Sequence, residues 1–382
     1  MPLSHGPGPP RPSAPMLGAS RCPPKSPLVD FYSWTLLFRW LLGWGMRPIA
    51  RPLPEPVDTD TPRARVNIVV PARNEEANLK NLLPRLSNQT YPCTVTVVDD
   101  HSTDKTAEVA RANGAIVLES KDLPIGWTGK NWACWQGANQ NPYGLLVFLD
   151  ADTLPSKTLI ARLASQVEMA NGLISVQPFH RMFKWSERFA ATFNLLGAMG
   201  ARLGRKASLA FGPVLATKSS DYFAVGGHKL VSNSIIEDVE LGRAYEAAGL
   251  DVKTFAGRNQ VEFRMYPEGI GQMFEGFTKN LAPALLSSNW LWSLGVIFWF
   301  SGVMVASWEL PYALAKWALT GVAPTTSVLV AAVILYVGYA IQICVMLKPL
   351  GNFGISAAFM PLGVITFIVV FGWSVICAAK GD

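Results

Sequence analysis

Val95-Thr96-Val97-Val98-Asp99-Asp100 and Leu145-Leu146-Val147-Phe148-Leu149-Asp150-Ala151-Asp152 are two short apolar runs, each ending in a pair of carboxylates. Apolar runs of this length read as strands buried on both faces of a parallel sheet. In an open α/β sheet, ligands bind in the crevice beyond the carboxyl ends of the strands, so these acidic groups are expected to converge there. Crowded carboxylates repel one another and persist at low cost only when a cation neutralises them. The expectation is a metal cation that holds a phosphorylated ligand. In Asp150-Ala151-Asp152 the two carboxylates share one side of an extended segment, which suits a hard cation that keeps positions open for phosphate oxygens. A D-x-D triplet alone is common in surface turns and gains weight here from the strand before it.

Outward from these strands, residues 65–267 alternate strand and helix signals. Val66 to Val70 reads as a strand and Glu75 to Leu86 as a helix with apolar positions at Leu79, Leu82, Leu83 and Leu86. A helix opened by Ser102 or Thr103 follows the Asp99 strand, and further strands are expected at residues 115–118, 173–176, 209–216 and 252–255. This order predicts an α/β fold with a mixed, mainly parallel sheet flanked by helices.

Two further motifs carry chemistry. Gly126-Trp127-Thr128-Gly129-Lys130-Asn131-Trp132 offers glycines for close backbone approach and a lysine at a helix start, a combination that can cradle a diphosphate, although its spacing is not that of a Walker loop. Trp132 and Trp135 read as core aromatics. Ile236-Glu237-Asp238-Val239-Glu240 opens a helix running to about Ala248, and its acidic first turn either supplies a base or simply complements the helix dipole. Its place after the metal strand favours the base. His228 has no partner at metal spacing and reads as structural, whereas Arg264 and Lys279 could meet phosphate or headgroups.

The flanks differ in character. Half of the 382 residues are hydrophobic and only 16% are charged, a balance that fits a soluble domain joined to a membrane part. Residues 1–27 are Pro- and Gly-rich without apolar period and are expected to be disordered. Residues 28–50 form a membrane or interfacial helix in which Asp30 and Arg39 oppose insertion, arginine costing about 2.5–3.5 kcal/mol at a span centre. No small-residue cleavage pattern precedes Arg47, so a cleaved leader is not expected. Residues 268–287 carry apolar side chains at helical spacing and read as an amphipathic interfacial helix. Within residues 288–382, the runs 290–307, 327–347 and 355–379 approach the roughly 20 apolar residues of a spanning helix. The five cysteines form no C-x-x-C pair, which argues against a disulfide framework or zinc site. The net charge of +6 comes without a basic cluster or recognition-helix pattern, which excludes nucleic acid and leaves anionic membrane lipids as the partner of the charge.

Taken as an ordered set, Val70-Pro71-Ala72-Arg73-Asn74-Glu75-Glu76, the VVDDHSTD run, DAD and IED resemble the family 2 glycosyltransferases with the GT-A fold, over residues 65–285. The resemblance implies that Ala72, Arg73, Glu75 and Asp99 contact the nucleoside of a UDP- or GDP-sugar, with Asp100 in support. It further implies that Lys130 meets the diphosphate, that Asp150 and Asp152 hold the sugar nucleotide and its Mg²⁺ or Mn²⁺, and that Asp238, beside Glu237, is the base of an inverting displacement. Processive members carry Q-x-x-R-W before their channel helices, and Gln272 to Asn280 here lacks both the arginine and the tryptophan. The GWTGKNWACWQGA, FRMYPEG and GFTKN runs are similar instead to those of diaponeurosporenoate (carotenoid) and hopanoid-associated glycosyltransferases. That likeness implies transfer of one sugar to a lipid-soluble isoprenoid such as a carotenoid acid, by a multi-pass protein of the cell (plasma or inner) membrane whose catalytic domain faces the cytosol. Alternatives are a polyprenyl-phosphate sugar transferase, a polysaccharide synthase and an inactive membrane scaffold.

Overall fold

A computed structural model describes residues 27–57, 64–206, 209–287 and 289–380. Most of the tail expected to be disordered lies outside the described residues. The chain divides into two units, Met1–Phe38 and Arg39–Asp382, and the described part of the first is the opening of one helix, α1 (Pro27–Met46).

The second unit alternates as its apolar runs dictate: β1 (Val66–Ala72), α2 (Glu76–Ser87), β2 (Cys93–Asp99), α3 (Thr106–Ala112), β3 (Ile116–Glu119), α4 (Gly129–Gln140) and β4 (Leu145–Leu149). After β4 come β5 (Thr153–Pro155), α5 (Leu159–Met169), β6 (Gly172–Gln177), β7 (Phe179–His180), a 3-10 turn at Trp185–Ala190 and α6 (Ala191–Gly200). The domain closes with β8 (Val214–Lys218), α7 (Ser219–Ala224), α8 (Gly227–Leu230), α9 (Glu237–Ala247), β9 (Asp251–Ala256) and β10 (Val261–Phe263).

Seven strands form one sheet in the order β3-β2-β1-β4-β8-β6-β9, and β5-β10-β7 form a second, small sheet. β1 pairs in parallel with β2 and β4, while β8 runs antiparallel to β4 and β6. The register Ala72↔Asp99 and Leu149↔Val214 brings the carboxyl ends of β1, β2 and β4 level with the start of β8. All five residues of β4 are buried, as its uninterrupted apolar run requires of a strand covered on both faces. One face carries the α2 and α5 leucines around Ile68, Val70 and Val147, and the other carries Tyr222, Leu241 and Tyr245 around Val69, Leu146 and Phe148.

Two expectations shift. The helix after Asp99-Asp100 opens at Thr106 rather than at Ser102 or Thr103, because Ser102 and Asp104 turn to another segment: Ser102 Oγ accepts the Asn74 N–H at 2.9 Å and Asp104 accepts the Glu76 N–H at 3.1 Å. The strand expected over residues 209–216 begins only at Val214, since the stretch before it serves the site below.

The remaining chain is helical: α10 (Ile270–Ser287), α11 (Trp290–Thr320), α12 (Thr326–Leu347), a 3-10 turn at Gly354–Phe359 and α13 (Met360–Lys380). α11, α12 and α13 are long and apolar enough to cross a membrane; α1 is not among the helices that meet that measure. α11 runs beyond the apolar run ending at residue 307, through Glu309 and Pro311 to Thr320, and the third apolar run becomes α-helical only at Met360.

One connection ties these helices to the sheet domain. His180 N–H donates to Leu350 O, Asn352 N–H donates to His180 O, and the Asn352 side chain bonds both backbone groups of Met182. The segment between α12 and α13 is thus laid against β7.

Candidate active site

At the carboxyl ends of β1, β2 and β4 lies a cavity of about 430 Å³. Arg73, Glu75, Asp100, Lys130, Asp150 and Asp152 line it, with Ala72 and Gly129 among its walls. Residues separated by up to eighty positions meet here because parallel strands deliver their ends to one edge.

Each side chain is held by its own neighbours. Asp100 is 3.3 Å from His101 Nδ1 and 3.9 Å from Arg73, and it packs so closely on α4 that a Cβ on Gly129 would lie 2.5 Å from its carboxylate. That approach is what the glycine permits. Glu75 accepts from Asn78 Nδ2 at 2.6 Å, and its burial raises its carboxyl pKa above the usual range. Asp99 does not line the cavity; its carboxylate accepts the Ser102 N–H at 3.3 Å and braces the turn that carries Asp100.

Lys130 links the acidic clusters. Its Nζ is 3.1 Å from Asp150 and 2.9 Å from Glu237, so the helix-start lysine of α4 bridges the end of β4 and the first turn of α9. Its side chain keeps 40% of its exposure, which leaves it open to a ligand in the cavity.

Asp152 fares differently. Burial, then the charges of Asp150 and Glu75, push its carboxyl up to about 7. Such a site carries negative charge that Lys130 offsets only in part, and its donors are all hard oxygens, so the residues present fit Mg²⁺ or Mn²⁺. Among the described residues no set of three or more side chains forms a ready cage. Asp150 and Asp152 would therefore hold a cation that keeps its other positions for water and phosphate oxygens.

Asp238 sits one peptide away from this cluster. Gly212 N–H donates to Asp238 Oδ2 at 2.6 Å, and the next residue, Pro213, accepts the Asp150 N–H through its carbonyl at 3.0 Å. The Val239 N–H donates to the other Asp238 oxygen at 2.9 Å. Burial, reinforced by the charge of Glu237, raises the Asp238 carboxyl to about 7 despite these bonds. A carboxyl poised there can exchange a proton at neutral pH.

Sequence reading missed two supports. Asn131 is buried, and its Nδ2 lies 2.8, 3.2 and 3.0 Å from the carbonyls of Val231, Ser232 and Ser234, while Thr128 N–H donates to Ser232 O. The Gly126–Trp132 motif thereby fixes the loop that delivers Glu237 and Asp238. Gly212 and Pro213 were the other omission, because a strand expectation had covered them. Trp132 and Trp135 are half-buried and cluster with Trp127 beside α4, in keeping with a packing role. His228 is buried against the Tyr222 hydroxyl at 2.8 Å, and burial holds its pKa near 3, so it is a neutral structural group. Arg264 bonds Glu187 through Nε and Nη2 and is committed to that pair rather than to a phosphate. The Lys279 side chain lies outside the described residues.

Residues 67–239 match the family described as Glycosyl transferase family 2. Over 249 residues the chain is 39% identical to the 4,4'-diaponeurosporenoate glycosyltransferase of Staphylococcus aureus strain USA300, and equally to that of strain MRSA252. These alignments cover 61% of this chain and 66% of the relatives, just under two thirds of their length. Among solved structures, a mannosyltransferase from Pyrobaculum calidifontis in complex with GDP-Man and Mn²⁺ matches 88% of this chain and 96% of its own, with a TM-score of 0.50 at 21% identity. At that identity the likeness speaks for the fold alone, and with the family match it makes residues 67–239 of this chain a glycosyl transferase family 2 domain on a GT-A-type sheet.

Proposed function

We propose that the chain transfers a single sugar, with inversion, from a nucleotide-sugar donor to a lipid-soluble isoprenoid acceptor at the membrane face. The observation that carries this reading is the convergence of Arg73, Glu75, Asp100, Lys130, Asp150 and Asp152 on one cavity. In this reading Ala72, Arg73, Glu75 and the Asp99-Asp100 turn receive the nucleoside, and Lys130 exchanges a carboxylate partner for the diphosphate. Asp150 and Asp152 hold Mg²⁺ or Mn²⁺, which, when bound, offsets the charge that develops on the departing diphosphate. The acceptor oxygen bonds to the anomeric carbon as the bond to the diphosphate breaks, and a hydroxyl acceptor passes its proton to Asp238, with Glu237 keeping Lys130 in place.

A carotenoid acid or related isoprenoid is the acceptor suggested by the likeness to the diaponeurosporenoate glycosyltransferases. It is supported by α11, α12 and α13, three helices long and apolar enough to cross a membrane, which would bring the catalytic domain beside the phase in which such an acceptor dissolves. Incubating the membrane-embedded protein with labelled UDP- or GDP-sugars and an isoprenoid extract should yield a labelled lipid carrying one hexose by mass. Labelled polymer, or no labelled lipid with any donor, would overturn the reading.

The catalytic domain is proposed to face the cytosol. The segment between α12 and α13 is hydrogen-bonded to β7, so α11 and α12 leave and return on the catalytic side and the Gly321–Thr325 turn lies at the opposite face. Close to the span ends, Arg47, Arg202, Arg205 and Lys348 lie on the catalytic side against Lys316 and Lys380 at the other, an excess of the sign expected of a cytoplasmic face. In a background without reactive native cysteines, Ala323→Cys should be modified in intact cells by an impermeant maleimide, and Lys348→Cys only after permeabilisation. The reverse pattern would refute the orientation.

A further inference from the structure

Three arginines gather where the first apolar span leaves the catalytic domain. Arg202 and Arg205 lie in the turn after α6, with their guanidinium carbons 5.3 and 5.1 Å from the ring centre of Trp292, in the first turn of α11. Arg205 Nη2 donates to the carbonyls of Gly45 and Arg47 at 2.6 and 3.1 Å, which caps the carboxyl end of α1 and places Arg47 alongside.

The turn is held rigidly. Ile49 N–H donates to Leu203 O, and Gly204, at φ +72°, leaves room for Ile49 O where a Cβ would come within 1.9 Å of it. Arg202 itself adopts a left-handed φ of 58°, a conformation that arginine rarely takes and that the surrounding bonds must enforce.

These charges lack a counterion. Among the described residues no carboxylate pairs with Arg47, Arg202 or Arg205, and the Nε atoms of Arg202 and Arg205 are buried without a hydrogen-bond partner. Burial, together with the charges of Arg202 and Arg47, lowers the pKa of Arg205. Repelling cations fixed by a strained turn call for an anion, and guanidinium forks match the tetrahedral oxygens of a phosphate. Trp290, Leu291 and Leu294 are exposed apolar side chains on the same end of α11, where acyl chains would run beside a bound headgroup.

We propose that Arg47, Arg202 and Arg205 form a binding site for the phosphodiester headgroup of an anionic phospholipid, which locks the catalytic domain onto the membrane. The shared chemistry is a phosphate, and the lipid is favoured over free phosphate because the site opens beside the apolar root of α11. This inference stands apart from the sugar-transfer reading and would survive its failure.

The test uses the purified full chain in neutral detergent, titrated with mixed micelles of phosphatidylglycerol or phosphatidylcholine, or with inorganic phosphate alone, while Trp fluorescence and Tm are followed. Phosphatidylglycerol should bind more tightly than phosphatidylcholine and raise Tm, and millimolar inorganic phosphate should neither displace it nor reproduce its effect. Arg202→Gln and Arg47→Gln should each weaken phosphatidylglycerol binding about tenfold, whereas Arg111→Gln, which pairs with Glu119 at a distant edge, should not. Among the described residues the Arg47 side chain bonds only the Trp44 carbonyl of its own helix end, so its substitution should leave the fold intact even if Arg202→Gln does not. Unchanged affinity in Arg47→Gln, equal binding of both lipids, or equal protection by inorganic phosphate would each overturn the proposal.

Discussion

Asp150→Ala and Asp152→Asn are expected to abolish the thermal stabilisation that Mn²⁺ and a nucleoside diphosphate together confer on the protein. A ligand at about a hundred times its Kd adds about 2.7 kcal/mol, which for a domain of roughly 200 residues raises Tm by about 5–10 °C. The wild type should show that rise only when metal and nucleotide are present together, because the two carboxylates leave most coordination positions to phosphate and water. Neither variant should show it. The losses differ in origin. Asp150→Ala removes one proposed metal ligand and also frees Lys130 from one of its two carboxylates. Asp152→Asn keeps the shape of the site and removes only charge, so a full loss in that variant isolates the electrostatic contribution. Sugar transfer should fall about a thousandfold in both, in the range seen when a preorganised electrostatic partner of the departing group is removed. A variant that retains the joint shift in Tm would exclude its carboxylate from the metal.

Lys130 explains how much of this site the sequence could disclose. Apolar runs ending in Asp99-Asp100 and Asp150-Ala151-Asp152 were legible as strand ends, because burial on both faces of a sheet leaves an unmistakable composition and the next polar residues must lie at its edge. The family resemblance then distributed those residues over a donor site. What remained hidden was pairing across long separations. Nothing in the spacing of Lys130 and Glu237 announces the 2.9 Å contact between them, which depends on Asn131 gripping the carbonyls of residues 231, 232 and 234. A polar side chain directly after a helix-start lysine was the available signal, and helix pattern alone gave it no partner. The 209–213 stretch misled for the opposite reason. Its apolar residues looked like a strand although Gly212 and Pro213 interrupt ladder geometry, and those two residues carry the link between Asp150 and Asp238. The orientation of the spans was equally illegible, since Lys348 and Lys380 set no bias by themselves. Hydrogen bonds between β7 and residues 350–352 put the α12–α13 connection on the catalytic side, a link that charge counting could not reveal.

Asp238→Asn should separate acceptors by their chemistry. A hydroxyl acceptor must lose a proton as it attacks, and removing the general base costs about 10²- to 10⁴-fold in rate. A carboxylate acceptor is already ionised at pH 7, its pKa being near 4, so its transfer should fall by no more than about tenfold in the same variant. Equal loss with both acceptors would sink the distinction and leave Asp238 with an orienting task alone. The wild-type pH profile tests the same point. With the Asp238 carboxyl raised to about 7, chiefly by burial, kcat/KM for a hydroxyl acceptor should decline about tenfold per unit below that pH, while a carboxylate acceptor shows no such break. Stability must move the other way. A carboxyl whose folded pKa lies above its usual value favours the folded state when protonated, a contribution fully present below about pH 4 and lost as pH rises through about 7. At pH 8 the wild type has lost that contribution, whereas asparagine carries no charge to bury and can still accept the Gly212 N–H, giving up only the bond from its neighbour Val239. The variant should therefore melt higher than the wild type at pH 8 and closer to it at pH 5, while its hydroxyl-transfer activity is lost. A substitution that merely damaged the fold would lower both activity and Tm, so a rise in Tm accompanying the loss of transfer is the signature of a charge buried for its chemistry.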